Sequence, residues 1–268
     1  MGVDNYIYFV FDKKPEEVEN FLKREFEAEV RNEEFDDPRM DYLGEKGLLG
    51  EHFQLITSGE LLFDPPLRTT EWGVIINADF HVYTVKDYTI LEIHPNPRSR
   101  WGFVLSSEVI RLLKRFMKAE PLLICGYRDD ADLTELGFNY NMSYLFINWL
   151  PETIKTGKLK TLPSAITVVK KELLGLEDGL YELIERPGRE EKEYVLVKSI
   201  EDYKILVAVE EVDLMDEECY RDILNDKAEF SLKIVGVTFK RIGRKVKDEL
   251  LLRRAEDYFK TQVEEDGC

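Results

Sequence analysis

Gly73-Val74-Ile75-Ile76-Asn77-Ala78-Asp79-Phe80-His81-Val82-Tyr83-Thr84-Val85, then Lys86-Asp87, then Tyr88-Thr89-Ile90-Leu91-Glu92-Ile93-His94, is the stretch that decides the fold. Both runs are rich in β-branched and aromatic residues, alternate in polarity and flank a two-residue gap, which reads as a β-hairpin. One face of the first strand holds Asn77, Asp79, His81 and Tyr83, and the other holds Ala78, Phe80, Val82 and Thr84. In the second strand Leu91 and Ile93 oppose a face of Ile90, Glu92 and His94. A one-residue slip would turn every side chain to the wrong face, so the apolar sets fix the register. With the turn at Lys86-Asp87, Asp79 is expected opposite His94, and His81 opposite Glu92.

That register gathers four functional side chains on one patch. Directly opposed residues have Cβ atoms about 4.5–5.5 Å apart. Two imidazoles and a carboxylate are a known ligand set for non-haem iron or catalytic zinc. A His–carboxylate pair also serves as general acid and base near neutral pH. Asp79, His81, Glu92 and His94 are therefore the candidate catalytic and metal-ligating residues, with a divalent metal as the candidate cofactor. The chain has three histidines, and two of them fall in this patch. The competing expectation is a solvated sheet face carrying ordinary cross-strand ion pairs.

Outward from the hairpin, the pattern is α+β with short antiparallel connections. Tyr6 to Phe11 reads as a strand, and Pro15 opens a helix with Val18, Phe21, Leu22 and Phe26 on one face. Glu25 to Asp41 holds eight acids and two arginines, which suggests an exposed loop or edge element. His52 to Thr57 reads as a short strand. Ser106 or Ser107 caps a second helix, Pro121 to Gly126 is a buried strand, and Ser143 to Leu150 is another apolar run.

Pro151 to Pro163 has two prolines, a glycine and three lysines, and looks like a connection. The expected organisation is an acidic α+β domain at 1–152, a linker at 153–163 and a smaller α+β domain at 164–268. Each is read as a mostly antiparallel sheet with helices packed on one side. The formal charges of −12 for residues 1–152 and −5 for the remainder fit that division. In the second part a helix is expected over Ser164 to Leu174. Strands follow at Leu180–Glu185, Tyr194–Ser199, Lys204–Val209 and Phe230–Phe239, with a helix between the last two. A terminal helix over about Lys245 to Val263 turns Val246, Leu250, Ala255, Tyr258 and Phe259 inward.

The chain has 268 residues and a net charge of −17. Such acidity repels nucleic acid and anionic membrane at long range. The N-terminus has no signal-peptide pattern, and no apolar run approaches the 18 or so residues that span a bilayer. Cys125, Cys219 and Cys268 are odd in number and widely spaced, against a disulfide framework or zinc ribbon. The expectation is a cytoplasmic protein without membrane contact. Gln54 and Gln262 are the only glutamines beside abundant Glu and Lys, a thermophile-like composition.

Two further surfaces could bind partners. Arg98, Arg100 and Trp101 follow the hairpin in a Pro-rich loop and could hold a phosphate or stack a base. Lys233 to Arg254 carries eight cations against two acids, including Lys240, Arg241, Arg244, Lys245 and Lys247. That stretch could meet nucleic acid or an acidic partner, or be ordinary ion pairing. There is no phosphate-binding glycine loop and no nucleophile elbow. The leading expectation is a non-enzymatic binding or regulatory protein that works through protein contacts. The alternatives are a metal-dependent hydrolase of nuclease or phosphodiesterase type on the quartet, and a nucleic-acid-associated factor using 233–254.

Overall fold

The computed structural model describes residues 4–31, 53–69, 73–96, 107–129, 161–162, 166–184, 193–209 and 240–264. The strands are β1 (Asp4–Phe11), β2 (Glu29–Arg31), β3 (Gln54–Thr69), β4 (Gly73–Val85), β5 (Tyr88–Asn96), β6 (Leu123–Asp129), β7 (Thr161–Leu162), β8 (Ile166–Lys170), β9 (Gly179–Ile184), β10 (Glu193–Ile200), β11 (Tyr203–Val209) and β12 (Lys240–Lys245). The helices are α1 (Pro15–Phe26), α2 (Ser107–Met117) and α3 (Glu249–Glu264). The strands form one sheet of twelve in the order β2-β3-β4-β5-β1-β6-β8-β11-β10-β9-β12-β7. Every described pairing is antiparallel.

The expected antiparallel sheets with packed helices are therefore found, but as one sheet that runs through both parts. β6 pairs with β8 through Leu123↔Val169, Ile124↔Val168 and Cys125↔Thr167. The backbone N–H of Lys170 also donates to the Leu122 carbonyl at 3.0 Å. Nothing local in the sequence encodes a pairing between strands this far apart along the chain.

Strand alternation sorts the core onto two faces. One face carries Ile7, Phe9, Phe11, Phe80, Leu91, Ile124, Val168, Ile205 and Val207, and all three described helices pack on it. The helix α1 begins at Pro15, with the Lys14 backbone N–H bonded to Glu17 Oε1, and buries Val18, Phe21, Leu22 and Phe26. Phe116 of α2 stacks on Phe26 with ring centroids 4.5 Å apart and lies 4.2 Å from Phe9. The second face carries Tyr8, Val10, Tyr83, Ile90, Leu123, Cys125, Val195, Val197 and Leu206. Central strands thus bury both faces, which is why Tyr6 to Phe11 is a continuous apolar run rather than an alternating one.

Three local expectations change. Ser164 to Leu174 is not a helix: Ile166–Lys170 is β8 and Lys171–Leu173 a 3-10 turn. The run Ile166-Thr167-Val168-Val169 is β-branched throughout and suits a pleated strand better than a helix. In α3, Ala255 and Phe259 are buried as expected, but Leu250 in the first turn is exposed. The short strand expected at His52–Thr57 is the start of a longer one, β3, which runs from Gln54 to Thr69. The expected elements at Ser143–Leu150 and Phe230–Phe239, and the helix before the latter, lie outside the described residues.

No described helix is long and apolar enough to cross a membrane.

Candidate functional site

The hairpin has the register its alternation requires. Asp79 pairs with His94 and His81 with Glu92, and Lys86 takes a positive φ of 55° to close the two-residue turn. All four side chains lie on the face opposite the helices.

The hairpin is not at the sheet's edge. β5 is flanked by β4 on one side and by β1 on the other, with Tyr8 opposite Glu92. The register then continues through Tyr8↔Cys125 and Cys125↔Thr167. One row therefore crosses five strands: His81, Glu92, Tyr8, Cys125, Thr167. At about 4.8 Å per strand it runs for roughly 19 Å. Glu92 is 4 % exposed, and Tyr8 and Thr167 are fully buried. The expectation of a solvated face fails at Glu92, which is buried, while Asp79, His81 and His94 are half-buried.

His81 Nδ1 lies 3.2 Å from Glu92 Oε1. Glu92 Oε2 is buried and has no hydrogen-bond partner among the described residues, and the same is true of Thr167 Oγ1. Such atoms cost about 1–3 kcal/mol each when left unsatisfied. The ring of Tyr83 is 6.1 Å from that of His81, and Phe53 is 5.4 Å from Tyr83. The pair thus sits among aromatic rings.

Beside this row runs a second, Glu60–Asp79–His94, in which Asp79 and His94 are half-buried. Glu60 Oε2 binds Arg31 Nη2 at 2.5 Å, and Glu60 Oε1 accepts from Asn77 Nδ2. The Glu60 oxygens are therefore engaged by cationic and amide donors. Among the described residues no group of three or more His, Cys, Asp or Glu is arranged to hold a metal ion. Within the quartet His81 and Glu92 form a His–Glu pair whose carboxylate is buried and whose imidazole is half-buried.

Three members of the row were missed from the sequence. Tyr8 and Cys125 lie in runs read as strands and Thr167 in a stretch read as a helix, and only the β5–β1–β6–β8 order puts them in line with Glu92. The signal that could have found Tyr8 is its polar tip within a strand buried on both faces. Burial pushes the Cys125 thiol pKa well above its ordinary value, which keeps it protonated and unreactive.

Of the other candidates, Arg98, Arg100 and Trp101 lie outside the described residues. Lys240 and Arg241 fall on β12. Arg244 Nε binds Glu182 Oε2 at 2.9 Å, Lys245 Nζ binds Glu177 Oε2 at 3.0 Å, and Lys247 is exposed. Ion pairing within the fold thus engages Arg244 and Lys245. An open hollow of about 350 Å³ lies at the hairpin turn, between Lys86, Asp87 and the start of α1 at Lys13 and Lys14. It does not include the quartet.

Set against known protein families and against curated proteins, the sequence matches none.

Proposed function

We propose that this is a non-enzymatic binding protein that docks another protein on the ribbon formed by β3 and β4. The observation that carries the reading is where the apolar side chains surface. Among the described residues the exposed large apolar side chains are Ile56, Leu62, Ile76 and Leu250, and three of these four belong to the ribbon. The register shifts between Leu55 and Thr57, which makes Ile56 the extra residue of a bulge. It shifts again between Leu62 and Leu67, where four residues of β3 face Ile76 alone. Bulges bend a strand and re-aim its side chains, and they concentrate where a sheet does something other than pair. Leu62 pairs with Asn77, so Leu62 and Ile76 emerge on opposite faces at the ribbon's bulged end, which fits a partner that wraps that end rather than a flat patch.

A photo-crosslinking residue at position 76 in cells tests this. The expected result is one discrete protein adduct that disappears with Leu62→Lys. Adducts identical to those from the exposed control position Lys171 would overturn the reading.

The second reading is a metal-dependent hydrolase on Asp79, His81, Glu92 and His94. It is supported by the register that brings the four to one patch and weakened by the lack of a three-ligand set. Stoichiometric metal in the protein as purified, lost with His81→Ala, would favour it. The nucleic-acid reading rests on the charge of 233–254 and weakens as Glu182 and Glu177 take up Arg244 and Lys245.

A further inference from the structure

We propose that the partner of the β3–β4 ribbon is basic: a lysine- or arginine-rich segment that seats apolar side chains against Leu62 and Ile76. This rests on the ribbon reading above and names the chemistry of its partner. The strand register sets like charges beside the exposed leucine. Glu29 of β2 stands opposite Glu60 of β3, and Glu60 opposite Asp79 of β4. Three carboxylates thus share one row on one face of the sheet, at about 4.8 Å per strand. Like charges directly opposed across strands repel, so the row is unfavourable until cations meet it.

Leu62 lies on the same face as this row, because it follows Glu60 by two residues along β3. It is 43 % exposed, and Asp64, two residues further on, is exposed as well. Arg31 Nη2 binds Glu60 Oε2, and Asn77 Nδ2 donates to Glu60 Oε1. Glu29, at the outer end of the row, is exposed and has no ion pair among the described residues. A partner that wraps this end of the ribbon therefore meets apolar side chains set among carboxylates.

The complement of that surface is an apolar side chain flanked by lysine or arginine. Complementary charge of this kind selects the partner and speeds encounter. The net charge of −17 acts in the same direction, since it attracts a basic segment at long range and repels a second copy of the chain.

Fluorescence anisotropy with the full chain tests the proposal. The probe is a labelled synthetic peptide in which lysines flank two leucines, compared with the same peptide carrying glutamine for lysine. At low salt the lysine peptide is expected to bind with a dissociation constant of about 100 μM or tighter, and the glutamine peptide at least about tenfold more weakly. Glu29→Lys should weaken the lysine peptide about fivefold or more, whereas Glu201→Lys, the same change of charge at an exposed turn elsewhere, should weaken it less than about twofold. Leu62→Ser should weaken it several-fold. These are exposed positions, so the variants should fold as the parent does. Equal binding of the two peptides, equal losses from Glu29→Lys and Glu201→Lys, or no binding at all would each overturn a basic partner. Dimerisation of the chain in light scattering, lost with Leu62→Lys, would overturn it in favour of a second copy. A discrete crosslinked adduct at position 76 alongside any of these failures would keep the ribbon as the docking surface and reject only the basic character of what docks there.

Discussion

Glu92 Oε1 lies 3.2 Å from His81 Nδ1 across the β4–β5 pair, while Glu92 Oε2 is buried with no hydrogen-bond partner among the described residues. A half-satisfied buried carboxylate is a poor stabilising device, and apolar replacements of such pairs are often neutral or favourable. His81→Ala alone strips the partnered oxygen of its contact and should cost about 1–3 kcal/mol. The double variant His81→Leu/Glu92→Leu should lie between no change and a gain of about 2 kcal/mol. Urea unfolding of His81→Leu, Glu92→Leu and the double gives the coupling directly. A double variant destabilised by about 3 kcal/mol or more would show that the pair holds the fold together.

Phe116 is the hub of the helix-covered face. It stacks on Phe26, meets Phe9 and Phe21, and is fully buried. The Arg115 guanidinium lies 4.3 Å over the Phe26 ring, and its Nη2 bonds the Glu25 carbonyl, which ties α2 to the end of α1. Phe116→Ala removes one ring from a four-ring cluster and should cost about 3–5 kcal/mol in denaturant unfolding. A loss under about 1 kcal/mol would mean that α2 is not packed on Phe9 and Phe26 as described.

Gly59 is where β2 closes over β3. A side-chain carbon there would overlap the Glu29 carbonyl oxygen and come within 2.6 Å of the Phe80 ring. Neither can yield easily, since one is backbone and the other a fully buried ring. Gly59→Ala should release β2 or shift Phe80, at about 1–3 kcal/mol. Hydrogen exchange at Val30 should rise in this variant before exchange at Phe9 does. Unchanged protection at Val30 would contradict the close approach.

Acid stability should depend on Asp178. Partial burial opposes its ionisation, but the Ser199 backbone N–H, Lys204 and the Ser199 hydroxyl together outweigh this and hold its pKa below the ordinary aspartate value. A carboxyl with a lowered folded-state pKa contributes its full stabilisation above the unfolded value of about 3.9. That contribution is lost as pH falls through the folded pKa. The group is half exposed, so solvent screening limits the effect to about 0.5–1 kcal/mol. Asp178→Asn should be less stable than the parent at pH 7 and approach it below about pH 3. Parallel stability–pH curves would remove Asp178 from the account.

The sequence made some of this legible and hid the rest for identifiable reasons. The β4–β5 register could be read because both strands and their turn are contiguous and only one slip matches the apolar faces. The α1 face could be read because Val18, Phe21, Leu22 and Phe26 keep helical spacing. That β1 lies between β5 and β6 could not be read, because pairing between distant segments leaves no local trace. The polarity of the quartet's face was visible, but the burial of Glu92 was not, since it depends on tertiary neighbours that leave no trace in the hairpin. β8 was misread because Ile166 to Leu174 satisfies both a helical and a strand period, and β-branching decided it. The bulges at Ile56 and Ile76 have no signature beyond Pro65-Pro66, whose missing N–H groups disfavour regular pairing.

Residues before and after 153–163 should unfold together. β6 and β8 share a ladder at Leu123↔Val169, Ile124↔Val168 and Cys125↔Thr167. The helix-covered core runs without a break from Phe9 and Phe116 to Val168, Ile205 and Val207. Melting either part alone would strip β6 or β8 of its neighbour and open that core to water, at about 25 cal/mol for each Å² of apolar surface exposed. Independent domains would each retain their own core, whereas here one apolar cluster is common to both. Calorimetry should therefore give a single transition for the whole chain, although multi-domain chains of this length often give two. Proteolytic nicking within 153–163 should leave two fragments that co-elute on size exclusion and separate only in denaturant. Two resolved transitions, or fragments that part in native buffer, would support the division into two halves that the composition suggested.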